Sequence, residues 1–140
     1  MRALTVDDSR LMRRVVSKFL ANLGFEVGTA SNGEEALACL LREGAPDLIT
    51  LDWNMPGMDG YEFLTRMRKL DRFLGIKVIM LTAKNDQEAV QQAMGAGADE
   101  YMMKPFTPEI LEEKIRSLGF DIRSQGTGGS VSCEDGSKAT

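Results

Sequence analysis

Two hydrophobic rhythms alternate along this chain. Short apolar runs recur at residues 3–6 (ALTV), 47–51 (DLITL), 77–81 (KVIML) and 100–103 (EYMM), with a weaker one at 25–30 (FEVGTA) that Gly28 interrupts. Between them lie longer segments whose apolar residues return every three or four positions, the helical repeat. Leu11, Met12, Val15, Val16, Phe19, Leu20 and Leu23 form the first stripe, with Ser9 placed to cap it and Gly24 to stop it. Residues 33–43 form the second, with Ala36, Leu37, Leu40 and Leu41 expected inward, and residues 61–70 the third, anchored by Leu64 and Met67. The fourth spans 86–96 and ends at Gly97; Ala89 and Ala93 are its core candidates, which pushes Val90 and Met94 towards the surface. Thr107 caps the fifth, with Pro108 at its first position and Ile110, Leu111, Ile115 and Leu118 inward.

Strands and helices therefore alternate strictly, five of each. The runs at 47–51 and 77–81 lack the polar alternation of a half-exposed strand, so both their faces are buried, as a parallel sheet demands. The pattern predicts an α/β, doubly wound domain. From about residue 121 the chain turns rich in Gly and Ser (RSQGTGGSVSCEDGSKAT). The expected division is a domain over 1–120 and a flexible tail over 121–140.

Composition narrows the chemistry. In 140 residues there is no histidine, which removes Ser-His-Asp and Cys-His catalysis and imidazole metal sites. Cys39 and Cys133 lie far apart without CxxC spacing, which argues against structural zinc and for a reducing, cytoplasmic setting. Seventeen basic against 21 acidic residues give a net charge of −4, no footprint for nucleic acid. No apolar run approaches a membrane span. Chemistry is left to carboxylates, lysines and hydroxyls, and hard oxygen ligands favour Mg²⁺, Ca²⁺ or Mn²⁺.

In an open parallel sheet, ligands gather beyond the carboxyl ends of the strands. There the sequence places Asp7 and Asp8 after the first strand, Asp52 after the third, Thr82 after the fourth, and Lys104 and Pro105 after the fifth. Taken singly, each has an ordinary explanation. Asp7 and Asp8 would complement a helix dipole, Asp52 would open the NMPG turn, Lys104 would be solvated and Tyr101 a core-edge aromatic. Met12, Met67, Met80 and Met102 are core filler, Cys39 an inert helix residue, and Arg13 and Arg14 a solvated face. Taken together, crowded carboxylates imply a cation between them, and the set of acid, cation, ammonium and hydroxyl suits phosphoryl transfer to an aspartate.

The stretches VDDS, LDWNMPGMDGYEFL, IMLTA and YMMKPF, in that order, resemble the receiver domain of two-component response regulators, and among these the chemotaxis regulators most. The resemblance covers residues 1–120 and implies a flavodoxin-like sheet of order 2-1-3-4-5. It implies that Asp52 is the phosphoacceptor. It further implies that Asp8, Asp52 and the Asn54 carbonyl ligate Mg²⁺, with Asp7 acting through a bound water. Lys104, joined to Pro105 by a cis bond, would contact a phosphoryl oxygen. Thr82 would close onto the phosphate, Ala83 would leave it access, and Tyr101 would turn inward as the switch. The donor would be a phosphohistidine on a sensor histidine kinase. Val90, Met94, Tyr101 and Lys114 are candidates for a partner face. Lys84 departs from the chemotaxis pattern, which has an acid there; with Asn54 it is expected to tune dephosphorylation.

Three functions follow as expectations. The first is a phospho-switch that binds a target protein such as the flagellar motor switch, with no catalysis beyond its own phosphorylation and dephosphorylation. The second is the receiver of a longer regulator with a DNA-binding or enzymatic output domain. The third, an aspartyl-phosphate phosphohydrolase, needs a second acid where Asn54 stands, and is disfavoured.

Overall fold

A computed structural model describes residues 1–83 and 87–122. The strands are β1 (Arg2–Val6), β2 (Glu26–Ala30), β3 (Leu48–Asp52), β4 (Lys77–Thr82) and β5 (Glu100–Met103). The helices are α1 (Arg10–Asn22), α2 (Gly33–Glu43), α3 (Gly60–Met67), α4 (Gln87–Ala96) and α5 (Pro108–Ser117). All strand pairs are parallel, in the order β2-β1-β3-β4-β5. The expected α/β doubly wound, flavodoxin-like sheet is what forms. Lys84, Asp86 and the tail from residue 123 lie outside the described residues.

The doubly apolar strands are explained by the two cores. Ile49, Leu51, Val78 and Met80 meet α2, α3 and α4 on one face. Leu48, Ile79 and Leu81 meet α1 and α5 on the other. Local signals set the helix starts: Ser9, Asn32, Asp59 and Thr107 each accept a hydrogen bond from the backbone N–H three residues on. Gly24 and Gly97 end α1 and α4 with positive φ, +103° and +113°, in the left-handed region where a Cβ is penalised.

Several inward expectations fail. Leu11 is 70% exposed, Leu41 54% and Ile110 42%. A helix that covers a sheet buries only a stripe, and these residues flank stripes already filled by Val16 and Leu20, Ala36 and Leu40, and Leu111 and Ile115. The third helix also stops at Met67 rather than residue 70, and a 3₁₀ turn over Asp71–Phe73 follows, burying Phe73. Ala89 and Ala93 are buried and Met94 is exposed, as their spacing predicts. Met67, Met80 and Met102 are core residues and Met12 packs against the α1/α5 core.

Candidate functional site

Strand register brings the acids together. Ala3 pairs with Leu48 and Thr5 with Thr50, so one further step along the same face sets Asp7 beside Asp52. Asp52 is the last residue of β3 and only 4% exposed. Asp7 is buried and Asp8 exposed, and one carboxylate oxygen from each of Asp7, Asp8 and Asp52 lies within 4.8 Å of the others. Below them Thr50 donates its hydroxyl proton to Thr5 Oγ1 at 2.7 Å, a buried polar pair between the central strands.

Lys104 has no acid beside it in sequence but finds two in space. Its Nζ lies 3.1 Å from Asp7 Oδ2 and 3.1 Å from Asp52 Oδ1. The Lys104–Pro105 bond is cis, as the resemblance implies. Burial pushes the Asp52 carboxyl up to about 6 and the Asp7 charge adds to this; attraction and a hydrogen bond from Lys104, and the Asn54 backbone N–H, pull the other way. Burial would lower Lys104, but attraction to Asp52 and then Asp7, with their hydrogen bonds, outweighs it, and its pKa is raised. Three carboxylates face one ammonium, so the cluster keeps a negative excess when fully ionised. An all-oxygen donor set with that excess suits a hard divalent cation.

The β3–α3 turn is held close to Asp52. Gly57 has φ of +76°, which the Pro56–Gly57 turn requires. The Gly60 N–H donates to the Trp53 carbonyl at 2.9 Å, and a Cβ on Gly60 would collide with the Asp52 carbonyl and lie 2.9 Å from Trp53 Cα. Asn54 is exposed. Trp53 is buried on the opposite core from Asp52 and stacks on Tyr61, ring centroids 6.0 Å apart.

Thr82 and Tyr101 face the other side of the sheet. Tyr101 pairs with Met80, and Thr82 is in step with Met80, so both side chains project towards α4. Thr82 is fully buried; Tyr101 is half-buried against the α2/α3/α4 core. Val90, Met94, Tyr101 and Lys114 fall on α4, β5 and α5, at the β5 edge of the sheet; Lys114 Nζ pairs with Glu100 Oε1 at 3.2 Å.

One expectation is corrected. Arg13 is not a solvated side chain: it is half-buried and its Nη1 donates to the Asp7 carbonyl at 2.6 Å. Among charged neighbours Arg10 and Arg14, nothing in the sequence marks it. Arg68 was likewise silent, yet it bonds the Gly97 carbonyl at 2.8 Å, the Phe73 carbonyl at 2.9 Å and Asp99 Oδ2 at 3.1 Å. It ties α4's end to β4, whose Val78 N–H also donates to Asp99.

With this geometry in view, likeness to known proteins carries weight. The sequence matches the response regulator receiver domain over residues 3–116. It is 40% identical over 116 residues to chemotaxis protein CheY1 of Helicobacter pylori, covering 82% of this chain and 94% of that protein. It is 39% identical over 115 residues to the transcriptional regulatory protein AfsQ1 of Streptomyces coelicolor, covering 82% of this chain but 49% of that protein. In three dimensions it resembles chemotaxis protein CheY4 of Vibrio cholerae, with a TM-score of 0.79 at 37% identity over 84% of this chain and 97% of that one. The sheet order, the acid cluster and these matches agree: the chain belongs to the response regulator receiver domain family.

Proposed function

We propose that this receiver accepts a phosphoryl group on Asp52 from a phosphohistidine of a sensor histidine kinase, and that the modified Asp52 biases a protein-binding surface. One observation carries this reading: Asp52 is buried at the sheet edge, in contact with Lys104, with Asp7 and Asp8 within 4.8 Å. Asp52 in its carboxylate form is the nucleophile, and its raised pKa means that it is ionised above about pH 6. Lys104, already charged, meets a phosphoryl oxygen and moves its attraction from the carboxylates to the new anion. The Thr82 hydroxyl, at the end of β4 and on the α4 face, would have to turn over the carboxyl edge of the sheet to donate to the same group, and Tyr101, on that face, would follow it inward. Asn54, an amide, cannot act as the second acid of a phosphohydrolase, which favours a persistent acyl phosphate; Lys84 would slow its loss further.

Mg²⁺ fits the donor set, held by Asp8, Asp52 and the Asn54 carbonyl, with Asp7 through water; when bound it would neutralise charge on the transferring phosphoryl oxygens. Val90, Met94, Tyr101 and Lys114 would form the partner face. The match to chemotaxis protein CheY1 over 94% of its length supports a chemotaxis-type pathway, in which the target would be the flagellar motor switch. A second reading, the receiver of a longer regulator with a DNA-binding or enzymatic output domain, is supported by the half-length match to AfsQ1. Among the described residues no helix is long and apolar enough to cross a membrane. The test is Trp53 emission: Mg²⁺ should change it, and beryllofluoride should change it further only with Mg²⁺ present. A beryllofluoride response that survives Asp52→Asn would refute the assignment.

A further inference from the structure

Asp7 and Asp8 are adjacent in sequence and held in opposite ways. Every polar group of Asp7 is spent inside the protein. Its N–H donates to the Ala30 carbonyl at 3.1 Å, and its carboxylate accepts from the Ser9 N–H at 2.9 Å and from Lys104 Nζ at 3.1 Å. Its carbonyl accepts from Arg13 Nη1 at 2.6 Å. The Asp8 carboxylate is exposed, and no hydrogen bond from the described residues holds it. What the fold sets for it is the direction of its Cβ, through the backbone that carries it.

That backbone has just left the sheet. β1 ends at Val6, so the Asp7 carbonyl has no strand partner, and a carbonyl leaving a ladder needs another donor. Arg13 supplies it by reaching back over the first turn of α1, where its own N–H is fixed to the Ser9 carbonyl at 3.0 Å. Gripping that carbonyl fixes the plane of the Asp7–Asp8 peptide, and with it the torsion that aims the Asp8 Cβ. Groups that orient a ligand without touching the metal govern affinity in this way.

We propose that Arg13 is a positioning residue for the cation site: it aims the exposed Asp8 carboxylate at the cation shared with Asp52. The inference rests on the divalent-cation reading given above. It has a rival with the opposite sign. A guanidinium bonded to the Asp7 carbonyl repels a divalent cation held by the neighbouring acids, so if Arg13 acts only as a charge, removing it tightens binding.

The experiment is a Mg²⁺ titration of wild type, Arg13→Met and Arg13→Lys, followed by Trp53 emission and by calorimetry, with thermal midpoints recorded in EDTA. The expected result is a Mg²⁺ midpoint raised about tenfold in Arg13→Met, and by less in Arg13→Lys, which keeps the charge and one donor on a shorter arm. An unchanged or lowered midpoint in Arg13→Met overturns the inference, including when its thermal midpoint falls, since that would mark a structural role alone. If Arg13→Met does not fold, a wild-type midpoint in Arg13→Lys overturns it. A wild type without any Mg²⁺ response overturns the cation reading and this inference together.

Discussion

Replacing Asp52 by Asn should stabilise the metal-free protein. Asp52 titrates near 6 in the fold against 3.8 for a free side chain, chiefly because it is buried and secondly because Asp7 repels it. The native state thus holds the proton more tightly than the unfolded chain, and stability falls as pH rises from about 4 through about 6. At roughly 1.4 kcal/mol per unit, the full cost of the ionised carboxylate above about pH 7 is about 3 kcal/mol. Asn keeps the shape, loses the charge and returns Lys104 to Asp7 alone, so a net gain of about 1–3 kcal/mol is expected, or roughly 5–10 °C in Tm. Urea unfolding in EDTA at pH 8 and pH 4 measures it: the variant should be the more stable at pH 8, and the gap should close at pH 4. Mg²⁺ should narrow the gap at pH 8, since ligand at ten times its Kd adds about 1.4 kcal/mol to the wild type. A variant less stable than wild type at pH 8 in EDTA, or a gap independent of pH, would refute this account of Asp52.

Other substitutions separate the parts. Gly60→Ala should cost about 2–4 kcal/mol and weaken Mg²⁺ binding, because its Cβ would press on the Asp52 and Trp53 backbone; denaturation and Mg²⁺ titration together read this. Arg68→Ala should cost about 2–4 kcal/mol by stranding Asp99 and the Gly97 and Phe73 carbonyls, yet leave the Mg²⁺ midpoint unchanged, since none of these groups is at the acid cluster. Lys104→Met should tighten Mg²⁺ binding at pH 8 by about tenfold, through loss of a competing cation 3.1 Å from two acids, while abolishing the response of Trp53 to beryllofluoride.

What could be foreseen was foreseen by pattern. DLITL and KVIML read as strands buried on both faces, and a parallel sheet follows from that together with helices between strands. The acids stood at strand ends, where such sheets bind ligands, so Asp7, Asp8 and Asp52 were within reach of sequence reasoning. Side-chain bonds to backbone carbonyls were not. Arg13 on Asp7 and Arg68 on Gly97 depend on three-dimensional register, and an arginine on a helix looks the same whether it grips a carbonyl or faces water. The same limit explains Leu11, Leu41 and Ile110: periodicity finds the apolar side of a helix but not the width of the stripe that the sheet covers. The pKa of Asp52 depends on burial and on the distance to Asp7 and Lys104, neither of which is a property of the chain in one dimension.

The central claim is that Asp52 is a phosphoacceptor. Its most direct measurement is intact-mass and peptide-level mass spectrometry after incubation with acetyl phosphate, with Mg²⁺ or with EDTA. The account predicts one added phosphoryl group, located on Asp52, formed only with Mg²⁺ and absent from Asp52→Asn. A phosphoryl group carried by any other residue, or one that forms equally well in EDTA, would contradict it.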